Sequence, residues 1–404
     1  MALLDDTVNR ILAERAGDAW PALYEAGLTA IGIPERSGGA GGGLADAAAV
    51  LRAAGYHAAA VPLAETWLAG RLLSAAGLPV PPGQLTAAGS VRGGPRPGEV
   101  RAERDGAGWR LSGRLSRVPW AAHADRIALA VEGPEGTLAA LVERCAVSVE
   151  PGRNLAGEPR DDITLDGVAV DAVPSPFTPS DLMLHGALAR TIAMAGAAHR
   201  VLDLSLRHAT EREQFGRPIA RFQAVQQLLA ELAGEVMLLE TGAEAATAAF
   251  GAGGPAAGTA VACAKADAGR AAGAAAATAH QIHGALGMTR EHVLRRLTLR
   301  LWSWRDEYGS EARWRDRVAA AMGGDAWAVA CGGGMTMTGA LDGLRVIDLS
   351  RVVAGPGAHP ARPRGAGTAA VLGELGYGAA QTAELLRDGT AHQRTTCQEG
   401  RTAE

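Results

Sequence analysis

Between about Asp181 and Met322 the sequence reads as little other than packed helix, with four long stretches separated only near Gly216–Pro218, Gly251–Pro255 and Gly284–Thr289. Alanine fills many of these positions; it favours helix, and its small side chain lets helix axes approach closely. Such stretches must bury their apolar faces against one another, which predicts a four-helix bundle. From about Leu85 to Phe177 alternating patterns replace the helical ones. The segment EVRAERDGAGWRLSGRLSRV has two strand-like arms around Asp105-Gly106, and RIALAVEGPEGTLAALVE repeats the pattern around Gly133 to Gly136. Helical spacing interrupted by glycines precedes this region, from Asp5 to about Gly77. The predicted class is therefore α+β: a helical domain over 1–82, a middle β domain over 83–178 and a four-helix domain over 179–325.

Within the first domain, AWPALYEAGLTAIGIPERSGGAGGG reads as a helix, a short extended piece, a turn at Pro34 and a glycine-rich loop. The loop from Ser37 to Gly43 does not satisfy GxxxxGK(S/T), and no strand with GxGxxG surrounds it. A flexible interhelical loop is expected there in preference to a phosphate cradle.

Composition narrows the partners. The chain has 404 residues, a formal net charge of −4, 48% hydrophobic and 20% charged residues, as in a globular protein with more than one packed layer. No excess of Lys or Arg points to nucleic acid or an acidic membrane. The start, MALLDDTVNR, carries two acids and no basic lead into an apolar core, and no apolar run approaches the roughly 20 residues of a membrane span. A cytoplasmic location is expected. Cys145, Cys263, Cys331 and Cys397 are scattered without CxxC or CxxH spacing, so free thiols are expected, with neither a disulfide framework nor a metal site.

Four stretches, GIPERSGGAGG from Gly32, VPWAAHADRIALAV from Val118, REQFGRPIARFQAVQ from Arg212 and QIHGALGMTREH from Gln281, resemble in that order the acyl-CoA dehydrogenase family. That family has an RxxFG…FQ corner, a QxxGGxG turn, an N-terminal PExxGG element and a flavin-facing tryptophan strand. The resemblance covers roughly residues 5–322. It implies FAD as cofactor, an acyl-CoA substrate, an electron-transfer flavoprotein or similar acceptor, and a dimer or tetramer. By resemblance, Arg212, Phe215 and Gln223 contact the FAD of a neighbouring subunit. Gln281, Gly284 and Gly287 line its adenosine side, and Trp120 sits against the flavin ring. A guanidinium at a rigid helix corner suits a diphosphate, because it supplies fixed charge and several donors. Two departures stand out: Ala285 replaces the second glycine of the turn, and Ala121 and Ala122 follow Trp120 where a hydroxyl residue is usual. Without the resemblance, Arg212 reads as a solvated helix-end charge, Phe215 as core and Trp120 as a core aromatic at a strand start.

The family's chemistry removes a proton next to the thioester while hydride passes to flavin N5, which needs a carboxylate base in an apolar pocket. Carried without gaps from Gln281, the family's usual Glu position lands on Tyr308 in WSWRDEYGSEARW, and its other location falls near Gly186. Two readings stay open. Either the backbone is shifted by one residue and Glu307 is the base, or the chain lacks a base and completes a partner's site. Asp306 and Glu307 also read as an exposed acidic corner pairing with Arg305 or Arg313.

After Gly332–Gly334, MTMTGALDGLRVIDLSRVVAGPGA resembles the opening of the class III CoA-transferase family, and TAAVLGELGYGAAQTAELLRDGTA resembles its closing segment. The span of about 337–392 lacks everything between those ends, so a poorly ordered, inactive remnant is expected over 326–404. The functional expectation is FAD-dependent α,β-dehydrogenation of an acyl-CoA. The alternative is a non-catalytic partner subunit, and a flavin monooxygenase or nitroalkane-oxidising relative stands third.

Overall fold

The computed structural model describes residues 2–322 apart from 16–17, 91–98 and 107, together with Ala379, Ala380 and Ala383. The chain divides into two units, 1–324 and 325–404. The CoA-transferase-like span and the ordering expected of the tail lie outside the described residues, those three alanines apart.

Four helices open the first unit: α1 (Ala2–Glu14), α2 (Trp20–Glu25), α3 (Leu44–Tyr56) and α4 (Leu63–Ala75). The glycine-rich loop between α2 and α3 is pinned, contrary to the flexible loop expected. Gly32 N–H donates to the Gly41 carbonyl at 2.8 Å, Gly41 N–H to Ile33 at 2.9 Å, and Val80 N–H to Ser37 at 2.7 Å. A Cβ on Gly39 would lie 2.1 Å from the Ile33 carbonyl oxygen, so glycine is required there by close backbone approach rather than by mobility.

Strands β1 (Leu85–Ser90), β4 (Arg126–Gly133), β5 (Gly136–Glu143) and β8 (Val173–Pro174) form one sheet in that order. A second sheet follows the order β2 (Val100–Asp105), β3 (Gly108–Pro119), β7 (Arg160–Val170), β6 (Ser148–Glu150). Strand β4 is buried on both faces. Ile127, Leu129 and Val131 pack toward the second sheet, whereas Ala128 and Ala130 join the core shared with the helices. That double burial explains its nearly continuous apolar run.

Helix α5 (Pro179–Glu211) starts at Thr178, whose hydroxyl accepts from Asp181 N–H while Asp181 accepts from Thr178 N–H, a capping box with proline at the first helical position. It ends in a two-stranded ribbon, β9 (Glu213–Gln214) and β10 (Arg217–Pro218). Phe215 and Gly216 turn that ribbon with φ of 53° and 78°. Helices α6 (Gln223–Ala252) and α7 (Ala256–His283) return along the bundle. The fourth helical stretch expected from the sequence is divided into α8 (Val293–Trp304) and α9 (Glu311–Met322). Tyr308 and Gly309, at φ of 53° and 104°, break it. Among the described residues no helix is long and apolar enough to cross a membrane.

Helix α3 crosses α5 with backbones in contact. A Cβ on Gly55 would lie 2.0 Å from the Ala193 carbonyl oxygen, and one on Gly196 would lie 1.9 Å from that of Arg52. Gly196→Ala therefore forces the helices apart. It is expected to lower stability by about 1–3 kcal/mol, as overpacking does, measured as a lower urea midpoint.

Candidate active site

Glu307 is the residue around which the three parts of the first unit meet. Its Oε1 accepts from Arg160 Nε at 2.8 Å and Asn154 Nδ2 at 3.0 Å. Its Oε2 accepts from Arg160 Nη2 at 2.8 Å and Arg190 Nε at 2.7 Å. Arg190, in the middle of α5, also donates through Nη2 to Glu65 of α4. Glu158, just before β7, accepts from Arg160 Nη2 at 3.1 Å, Arg300 Nε at 3.1 Å and Trp304 Nε1 at 2.8 Å. These side chains are almost entirely buried. Burial alone would raise the Glu307 pKa. Arg190 and Arg160, with the hydrogen bonds from Arg160 and Asn154, outweigh it and hold the carboxyl at about 2.

This geometry argues against Glu307 as the base. A general base needs a free lone pair facing the substrate and a pKa near working pH; here four N–H groups converge on both oxygens of a carboxylate stabilised as an anion. Nor is Glu307 part of an exposed acidic corner. Asp306, its neighbour, is exposed and meets Arg305 at 3.5 Å.

Tyr308 and Gly186, the two positions where resemblance puts a family base, are packed against each other. A Cβ on Gly186 would lie 2.2 Å from Tyr308 Cδ1 and 2.4 Å from Cγ. The Tyr308 hydroxyl is buried without a hydrogen-bond partner among the described residues. Burial drives its pKa well up, and the nearby Arg190 does not offset this. The left-handed backbone of Tyr308 costs about 1–3 kcal/mol and persists only where its surroundings impose it. They do so here: Trp314 Nε1 donates to the Tyr308 carbonyl at 3.0 Å, and Lys265 Nζ donates to the carbonyls of Trp304 and Arg305 at 3.0 and 2.6 Å. Lys265 is a buried ammonium at the C-terminus of α8, where the helix dipole favours a cation; burial still lowers its pKa to about 7.

The remaining predicted residues fall in two places. Trp120 stands beside the Glu307 cluster: its backbone N–H donates to the Pro159 carbonyl at 3.3 Å, and Arg160 Nη1 donates to the same oxygen at 2.6 Å. It is half-buried, with φ of 56° and an edge-on contact to His123. The N–H of Ala122 is taken by Asp161 Oδ2 at 2.8 Å, so it is not a spare donor. Arg212, Phe215 and Gln223 sit on the exposed ribbon and the start of α6; Phe215 is 91% exposed, against the core position that residue type alone suggests. Gln281 and Gly284 are exposed, and Gly287 is buried under the turn after α7. The rings of His208 and His283 stack at 4.5 Å, bringing that turn and the Arg212 corner to one end of the bundle.

These residues fit an anionic dinucleotide. An exposed guanidinium and two amides supply donors, and Gly284 adopts φ of 60° with nothing within 4 Å of where its Cβ would be, leaving room for a close ligand. The sequence reading missed the charge cluster and the His208–His283 stack. One signal was present: Arg190 and Glu65 are isolated charges within otherwise apolar helical runs, LHGALARTIAMAGAA and VPLAETWLAG. A groove of about 960 Å3 lies elsewhere, between α3 and α6, and contains none of the residues assigned by resemblance.

Replacing Glu307 by Ala would leave Arg160 and Arg190 buried without it, at a cost of about 3–5 kcal/mol. The carboxyl is depressed in the folded state, so its stabilisation is full above the ordinary carboxylate range. It is lost as pH falls from about 4.5 toward about 2. Acid unfolding of wild type and Glu307→Gln, followed by circular dichroism, should therefore differ most above pH 4.5 and converge below that window.

Comparison with known proteins agrees with this arrangement. Residues 5–79 match the acyl-CoA dehydrogenase N-terminal domain and residues 180–323 the C-terminal domain. Acyl-CoA dehydrogenase FadE27 of Mycobacterium tuberculosis is 32% identical over 231 residues, 53% of this chain and 61% of that protein. FadE28 of the same organism is 32% identical over 233 residues, 53% of this chain and 66% of that one. The chain thus spans a little under two thirds of the length of these relatives. Among solved structures, the ChsE4-ChsE5 complex from Mycobacterium tuberculosis superposes with a TM-score of 0.68 at 26% identity, over 80% of this chain and 96% of that one. A variant of the Tcur3481-Tcur3483 steroid ACAD gives 0.70 at 25% identity, over 80% and 97%. With the two domain matches together covering more than half of its residues and the helical, β, helical order in place, the chain belongs to the acyl-CoA dehydrogenase family.

Proposed function

We propose that this chain serves FAD-dependent α,β-dehydrogenation of an acyl-CoA thioester as one subunit of an assembly whose homologous partner supplies the base. The observation that carries the reading is the contact of Tyr308 with Gly186. Both positions at which resemblance puts the base lack a carboxylate, and the adjacent Glu307 is committed to Arg160 and Arg190. The two structural neighbours described above, named as the ChsE4-ChsE5 complex and Tcur3481-Tcur3483, support a two-chain assembly.

In this reading the bound flavin supplies the acceptor for the hydride that leaves the carbon two removed from the thioester carbonyl. The chain's own residues do the holding. Arg212 neutralises diphosphate charge through a fixed fork of N–H donors, Gln223 and Gln281 add amide hydrogen bonds, and the glycines at 284 and 287 admit close approach. Trp120 offers an aromatic face that keeps water from the ring. Removal of the proton beside the carbonyl requires a carboxylate free to accept it, which the partner contributes. An electron-transfer flavoprotein or a similar carrier takes the electrons onward.

The test is an anaerobic titration with a panel of acyl-CoAs, following flavin absorbance, on the chain alone and co-expressed with a homologous acyl-CoA dehydrogenase subunit. Bleaching confined to the mixed assembly supports the reading; stoichiometric bleaching of the chain alone overturns the need for a partner. Arg212→Ala should weaken flavin retention about tenfold or more, the loss expected for a charge-assisted hydrogen-bond pair, measured by flavin released on dialysis.

A further inference from the structure

We infer that Tyr308 physically closes this chain's own acyl site, so that the site is silent through exclusion of substrate as well as through lack of a base. The inference rests on the proposed function, which makes the neighbourhood of Gly186 and Tyr308 the place where the thioester's reacting carbons would lie. Three observations carry it.

First, the ring occupies the space against α5 completely enough that Gly186 has no room for even a methyl group; three ring atoms lie 2.2, 2.4 and 2.5 Å from a Cβ built there. Second, the buried Glu65–Arg190 pair joins α4 to α5 at this level, with the Arg190 guanidinium 5.8 Å from the Tyr308 ring centre. An acyl chain entering from the Tyr308 side would have to displace the ring and then meet a charged pair. Third, the closed position is imposed from outside the site. The φ of 53° at Tyr308, the Trp314 bond to its carbonyl and the two Lys265 bonds to the end of α8 hold the turn, while the phenol hydroxyl has no partner among the described residues. A tyrosine kept in the left-handed region, with a buried hydroxyl unpaired among the described residues, gains no hydrogen bond there, and its one polar gain is the ring's contact with Arg190. What the position supplies is volume.

Closure and simple loss of the base make different predictions for binding, which needs no redox chemistry. The full-length FAD-loaded protein, with its partner if one is required for purification, would be titrated calorimetrically with butanoyl-, octanoyl- and 3-phenylpropanoyl-CoA. Wild type and Tyr308→Phe are expected to show no site attributable to this chain, because both keep the ring. Tyr308→Ala and Tyr308→Glu, which remove it, are expected to gain about one site per copy of this chain for at least one of the three ligands. Thermal melts identify which variants are folded, and either ring-deleting variant suffices. The inference is overturned if wild type already binds one ligand per copy of this chain, if Tyr308→Phe gains a site as the ring-deleting variants do, or if folded ring-deleting variants gain none. Flavin bleaching in the same samples separates the two ideas. A gained site with no bleaching in any assembly would sink the dehydrogenase reading and leave the closure standing. Bleaching by the mixed assembly with no site gained would do the reverse.

Discussion

The buried charge cluster centred on Glu307 and Glu158 is the interaction on which the arrangement of the first unit depends. Glu65 comes from the N-terminal helices, Glu158 and Arg160 from the β region, Arg190 and Arg300 from the C-terminal helices, and Glu307 from the turn between α8 and α9. Three carboxylates balance three guanidiniums in surroundings where an unpaired ion would be costly, so each region is held in place by what it neutralises in the others. Such a cluster contributes less net stability than its hydrogen bonds suggest, because all six groups had to be desolvated. Its larger effect is on specificity, since a displaced domain would leave charges buried and unmatched.

That cluster also decides what the candidate site can do. A carboxylate held by Arg160, Arg190 and Asn154 is a structural anion, and one residue further along the turn the Tyr308 ring fills the space against Gly186. The division of α8 from α9 follows from the same locality. Lys265 caps the end of α8, Tyr308 and Gly309 reverse the backbone, and Trp314 ties the turn to α9. Together these contacts convert a region of potential chemistry into a joint, while the Arg212 corner at another place on the bundle stays exposed and open to a ligand.

Much of the architecture was legible because its signals are local. Alternation around Asp105-Gly106 and Gly133 to Gly136 marks hairpins, and alanine-rich spacing marks long helices, since each pattern reports which face of an element is buried. The glycine-rich loop was misjudged because composition cannot distinguish glycine used for mobility from glycine used for contact or for a left-handed turn; Gly39 serves a backbone approach to Ile33, and Gly41 turns the chain at φ of 72°. The break at Tyr308 was equally hidden. A tyrosine carries no local preference for the left-handed region, and the groups that hold it there, Lys265 and Trp314, act through the fold.

By itself the sequence determined the order of helical and β regions, the RxxFG corner and the absence of a carboxylate at Gly186 and Tyr308, because these are matters of residue identity and periodic spacing. Only the tertiary structure decided the fate of Glu307. Whether a carboxylate is a base or a buried counter-ion depends on which charges surround it, and those arginines lie 147 and 117 positions away in the chain. Long-range pairing of this kind leaves no periodic trace, so the role of the residue was fixed by where folding brought Arg160 and Arg190.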